Sequence, residues 1–205
     1  MLVLSVYPLH SESLWVFINR LGRLTESAAR HLMRQAVLAV QHCLDYGVFL
    51  TNLHVGNFLV QQSTMNLKLF DFEIGCNFRN EAYNYYDFIG AACCTPPEIK
   101  TDRKFHAMPA NVWALGALLY FMVHGAFPYP VNDFYCGNLK INEKRLSKEI
   151  CDLIKWCMAL KPSDRPTFEQ ILDHDWLKTE PSEEAILLYK MMAHNYKHEY
   201  KKDKA

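Results

Sequence analysis

Apolar residues recur at helical spacing along much of the chain. Between Thr25 and Tyr46, the positions Ala29, Met33, Ala36, Val40 and Cys43 fall on one face, which predicts a long amphipathic helix. Thr25 suits its N-cap, Glu26 its first turn and Gly47 its stop. A short amphipathic helix is predicted over 13–20. From Pro109 to Val123 the chain is apolar on nearly every face, so a helix opened by Pro109 and ended by Gly125 should be buried. Its most apolar run, 112–123, is short for crossing a bilayer. Further helices are expected over 146–158, 167–173 and 183–194. Two short strands, near 58–60 and 67–70, flank a polar turn, and residues 2–6 read as a strand end. Residues 71–98 are polar and loop-like. The pattern describes a mainly α fold with a small β element.

Composition narrows the class. At 205 residues one domain is the default, and a 50% hydrophobic content fits a folded core rather than disorder. Lys+Arg and Asp+Glu balance at 22 each, so neither nucleic acid nor a membrane is expected as a partner. The basic stretch 197–204 reads as a solvated tail. Seven cysteines without a CxxC pair, Cys93 and Cys94 adjacent, point to a reduced cytoplasmic or nuclear setting. The first residues carry no basic run ahead of their short apolar stretch, unlike a signal peptide.

Five motifs follow in a telling order. Leu50-Thr51-Asn52, then Leu53, then Asn57 keeps the spacing of a kinase catalytic loop, which normally reads His-Arg-Asp, a branched residue, three more, then Asn. Asp71-Phe72-Glu73 stands where Asp-Phe-Gly would. Thr95-Pro96-Pro97-Glu98 resembles the end of an activation segment, and Asn111-Val112-Trp113 the start of a buried helix. Lys161-Pro162-Ser163-Asp164-Arg165-Pro166 resembles the closing motif of the lobe. The chain resembles the Pim-type serine/threonine protein kinases, on these motifs and on 39–43, 86–90 and 156–169. The resemblance implies a protein-kinase-like C-lobe over 1–178, from hinge to last helix, followed by a helical or flexible tail over 179–205. The sequence starts at the hinge-like residues without a Gly-rich loop, strand lysine or helix glutamate ahead of them, and the expectation is a lobe without its N-lobe.

The resemblance also assigns positions. Asn52 occupies the site of the catalytic base, and a neutral amide cannot take the hydroxyl proton. His54 replaces a lysine that reaches the γ-phosphate, and reads either as a structural hydrogen-bonder or as a weak phosphate contact. Asn57 and Asp71 match the two magnesium ligands; alternatively, Asn57 caps the loop by bonding backbone. Glu73 adds a carboxylate that reads either as a metal ligand or as a group that repels phosphate, with repulsion expected unless a cation intervenes. Thr51 lacks the bidentate reach of arginine, so activation-loop phosphorylation is not the expected switch. Leu4 and Ser5 match the hinge, Leu59 the floor under adenine, and Ser13 an aspartate near ribose. Glu98 and Arg165 match a buried ion pair, and Asn111 a brace for the catalytic loop. ATP and magnesium are the implied cofactors and a protein is the implied partner or substrate. Two functions remain open: a pseudokinase or truncated kinase acting by protein binding or as a decoy, or a low-efficiency serine/threonine kinase supplied with an N-lobe.

Overall fold

The computed structural model describes residues 11–70, 75–77, 82–84, 90, 92–129, 139–180 and 182–191. The strand end expected at 2–6, and with it Leu4 and Ser5, lies outside them, as do Asp71, Phe72 and Glu73.

The chain enters through β1 (Ser11–Ser13), a strand without a readable apolar pattern, and passes into α1 (Leu14–Leu21). Ser13 caps α1 by accepting from the Val16 N–H at 3.3 Å. α2 (Glu26–Asp45) follows, capped by Thr25 and ending at Tyr46, with Gly47 beyond at a φ of 76°. Its inward face carries Ala28, Ala29, Leu32, Met33, Ala36, Val37 and Val40, all fully buried, while Cys43 is half-buried.

After β2 (Val48–Leu50) and a 3₁₀ turn at Val55–Asn57 come β3 (Phe58–Gln61) and β4 (Asn66–Leu69). β3 lies between β1 and β4 in an antiparallel sheet of three, with Leu59 opposite both Ser13 and Lys68. Two further ribbons each take one strand from the stretch expected to be loop: β2 pairs with β5 (Gly75–Asn77), and β6 (Tyr83–Asn84) with β7 (Lys104–Phe105). Between β6 and β7 lies α3 (Glu98–Thr101).

α4 (Ala107–His124) is the spine of the molecule. It starts two residues before Pro109, which sits in the first turn where its missing N–H costs nothing. It is long and apolar enough to span a membrane, but 83% of it is buried inside the protein, so its apolar surface is core. It packs against α2 on one side and α5 (Lys148–Cys157) on the other. Gly125 ends it in the left-handed conformation, φ 74°. The backbones of Gly125 and Gly22 meet there, and the Leu24 N–H donates to the Met122 carbonyl at 2.7 Å.

α5 is shorter than the periodicity predicts, because Ser147 caps it and Leu146 stays outside. The same cap ties distant elements together. The Glu26 carboxylate accepts from the Ser147 N–H and hydroxyl, both at 2.7 Å, and from the Trp176 indole at 2.9 Å. α6 (Phe168–Leu172) opens with a reciprocal cap between Thr167 and Gln170, and α7 (Asp175–Lys178) is a turn the pattern does not announce. Residues 183–191 are helical and dock on the start of α2, where the Tyr189 hydroxyl accepts from the Thr25 N–H at 2.9 Å. The remainder of the helix expected to 194 lies outside the described residues.

Candidate functional site

The catalytic-loop frame runs from the end of β2 to the start of β3. Leu50 and Thr51 are buried, which fixes the loop's entry; Asn52 and His54 are half-buried. The exit is fixed by the 3₁₀ turn, with Val55 and Asn57 buried. His54 Nδ1 accepts from the Gly56 N–H at 2.9 Å, which places the ring proton on Nε2. The His54 N–H in turn donates to Asn57 Oδ1 at 2.9 Å. The two bonds close a reciprocal cap over three residues. The imidazole lies so close over Gly56 that a Cβ there would fall 2.7 Å from its Cε1. The carbonyl oxygen of Asn57 accepts from the Phe70 N–H at 2.9 Å, holding the loop to the end of β4.

The cofactor chemistry of this loop can be judged on its donors. Asn57 Oδ1 has one lone pair engaged by His54, leaving one for a cation. Its implied partner ligand, Asp71, lies outside the described residues. Among the described residues no group of three or more His, Cys, Asp or Glu side chains could hold a metal ion. The described donors do not by themselves make a magnesium site, and no chemical step is routed through one. The structure does bring Leu59 and Ser13 together as register partners at the edge of the sheet. Leu59 is half-buried, turned away from the fully buried Phe58 and Val60, while the Ser13 hydroxyl caps α1.

Two buried contacts act as braces, the first on the loop and the second between α3, the start of α4 and the closing motif. Asn111, in α4, donates from Nδ2 to the Leu50 carbonyl at 2.7 Å. Its Oδ1 is buried with no hydrogen-bond partner. Between Asn111, Leu50, Leu53, Ala114 and Cys94 lies a cleft too tight for a water molecule. Arg165 and Glu98 form the second brace, a bidentate pair at 2.7 and 2.6 Å whose side chains are 0% and 3% exposed. Arg165 also donates to the carbonyls of Ala159 and Pro109 at 2.9 Å and of Leu160 at 3.4 Å, so every guanidinium N–H has a partner. Its guanidinium lies 4.9 Å from the Trp113 ring. One side chain thus joins the start of α3, the first turn of α4 and the closing motif. Trp113 is buried; Trp156 is half-buried and lies 6.1 Å from the His174 ring.

A third anchor escapes sequence reading. Phe49, Tyr83 and Phe105 pack their rings with centroids 5.1 to 5.6 Å apart, beside buried Ile99 and Ala110. They join β2, β6 and β7, which lie far apart in sequence, and only the aromatic character of each residue hints at it.

A helical lobe in which an asparagine from the buried helix holds the loop and an arginine grips the glutamate after a double proline defines a class, and the comparisons agree. The sequence profile of the protein kinase domain matches residues 1–177, and the chain belongs to that family. It is 37% identical over 170 residues to the serine/threonine-protein kinase pim-2 of Danio rerio, covering 83% of this chain and 54% of that protein. Over 167 residues it is 32% identical to the serine/threonine-protein kinase prk-2 of Caenorhabditis elegans, covering 79% and 37%. NUAK family SNF1-like kinase 2 of Homo sapiens is 30% identical over 169 residues, covering 80% and 27%. The chain is homologous to Pim and NUAK kinases and spans about half the length of the first of these relatives, and less of the others.

Proposed function

We propose that this chain is a Pim-like kinase lobe that acts by binding protein, as a pseudokinase or decoy, rather than by transferring phosphate. The observation that carries the reading is the catalytic loop itself. Asn52 supplies no carboxylate at the base position, and His54, at the lysine position, has its Nδ1 committed to Gly56. Loss of a positioned base typically slows proton transfer about 10²–10⁴-fold. The loop is nonetheless firmly held, by Asn111 from below and by Asn57 at its exit, which suits a surface kept for docking. Leu4, Ser5 and Leu59 are the proposed hinge and floor of the former nucleotide cleft, and Asn57 with Asp71 its remaining metal positions.

The melting temperature of the 205-residue chain with and without millimolar Mg-ATP tests the reading. A ligand present at about 100 times its dissociation constant adds roughly 2.7 kcal/mol, a visible shift. The reading expects no magnesium-dependent rise. A rise would favour the second reading, a low-efficiency serine/threonine kinase completed by an N-lobe, for which the free lone pair of Asn57 and the intact loop frame speak.

A further inference from the structure

The segment leading to Thr95 carries two adjacent thiols in a 3₁₀ turn, Ala92–Cys94. Cys93 is half-buried and Cys94 is buried, and their sulfurs lie 3.8 Å apart. Cys94 faces the cleft beneath the catalytic loop, against Leu50 and Asn111. We infer that Cys93 and Cys94 form a peroxide-responsive dithiol, in which Cys93 is oxidised first and Cys94 closes a reversible bridge to it.

The geometry divides the roles. Only Cys93 is reached from solvent, so a hydroperoxide meets that sulfur first. Cys94 waits within reach of it and is shielded from the oxidant. The hydrogen bond from the Cys94 thiol holds the Cys93 thiol below its ordinary range against the effect of burial. The same contact, with burial, pushes Cys94 well above. Cys93 is therefore the richer in thiolate, the form that attacks peroxide.

The steps balance. The Cys93 thiolate attacks the outer oxygen of the hydroperoxide, the O–O bond breaks, and the departing hydroxide or alkoxide takes a proton from solvent. Cys93 becomes a sulfenic acid, oxidised by two electrons. The Cys94 sulfur then attacks the Cys93 sulfur; the S–S bond forms, the S–O bond breaks, and hydroxide leaves with the Cys94 proton as water. The bridge joins neighbours whose Cα atoms are about 3.8 Å apart, closer than the roughly 4.4–6.8 Å usual for disulfides. Such a bridge is strained and easily reduced, as a reversible switch requires. Closing it draws the Cys94 sulfur out of the cleft it shares with Leu50 and Asn111.

Half-buried Cys43, whose thiol burial pushes up, is the internal control. The reduced 205-residue chain is exposed briefly to hydrogen peroxide, quenched with an alkylating agent and mapped by peptide mass spectrometry. The first product expected has lost a pair of hydrogens within the peptide holding Cys93 and Cys94, and recovers them with dithiothreitol. Cys43 should oxidise several-fold more slowly. Cys94→Ser should leave a sulfenic acid on Cys93 that dimedone traps, and Cys93→Ser should leave Cys94 reduced over the same interval. Oxidation of Cys93 no faster than Cys43 would overturn the inference. So would an early product bridging other cysteines, or one in which Cys93 goes directly to sulfinic acid with Cys94 still a thiol.

Discussion

Asn111 donates from Nδ2 to the carbonyl of Leu50 over 2.7 Å in a fully buried contact, so the helix spine holds the catalytic loop through a buried hydrogen bond. Removing the donor leaves that carbonyl buried and unsatisfied, a penalty of about 1–3 kcal/mol. Asn111→Ala should lower the urea midpoint by the corresponding amount while leaving the denaturant slope unchanged. A variant as stable as the parent would mean the Leu50 carbonyl finds another donor.

The Arg165–Glu98 pair predicts a larger loss. Arg165→Met keeps an apolar stem but strands the Glu98 carboxylate and the carbonyls of Ala159 and Pro109. Breaking one side of a buried pair costs on the order of 3–5 kcal/mol. The double variant Arg165→Met with Glu98→Gln should recover part of it, because no bare charge then remains. Chemical denaturation of the parent, the two single variants and the double variant measures the coupling.

Glu26 links stability to pH. Burial alone would raise its carboxyl, but hydrogen bonds from the Ser147 hydroxyl and N–H and the Trp176 indole, with the nearby charge of Arg30, bring it below the ordinary value of 4.5. A group lowered by folding contributes its stabilisation above its unfolded value and loses it as pH falls through the folded one. Melting temperatures of the parent should therefore drop on acidification below about pH 4.5 more steeply than those of Glu26→Gln. At neutral pH the parent should be the more stable of the two. Parallel acid limbs would remove Glu26 from the account.

Gly125 and Gly22 make a matched pair of tests. Both have positive φ, but a Cβ on Gly125 would lie 1.8 Å from the Gly22 carbonyl oxygen, whereas one on Gly22 meets nothing within 4 Å. Gly22→Ala should cost only the backbone strain of its φ 78°, ψ −43° conformation, about 1–3 kcal/mol. Gly125→Ala adds a backbone clash and should cost clearly more, enough to threaten folding. Equal melting temperatures for the two variants would contradict the close approach.

The helices were legible wherever burial imposes a period. The α2 face and its Thr25 cap follow from spacing and cap chemistry, and α4 follows from being apolar all round. Boundaries shift where a side chain competes. Ser147 caps α5 and cuts off Leu146, and α4 starts at Ala107 because proline is as comfortable inside the first turn as at its head. The ribbons β2–β5 and β6–β7 were not legible, since two- and three-residue strands carry no alternation and their partners lie as far apart as Val48 and Asn77. At the site, the family resemblance points to Asn57, Asn111, Glu98 and Arg165, and the structure joins the last two directly. The resemblance cannot tell that the His54 ring folds back onto Gly56, because that depends on a rotamer rather than on position. Nor does it reveal that Cys94 faces Asn111, a contact made only by the fold.

On the proposed reading, this catalytic loop does not carry phosphoryl transfer. The direct measurement joins the chain to the upper lobe of a Pim relative and follows phosphate transfer from labelled ATP to a peptide substrate. Two versions are compared: the native loop, and one carrying Asn52→Asp, His54→Lys and Glu73→Gly. Transfer is expected from the restored version and none above background, or at least about 10²-fold less, from the native one. Comparable rates from both would contradict that reading, because the native asparagine and histidine would then suffice for the chemistry.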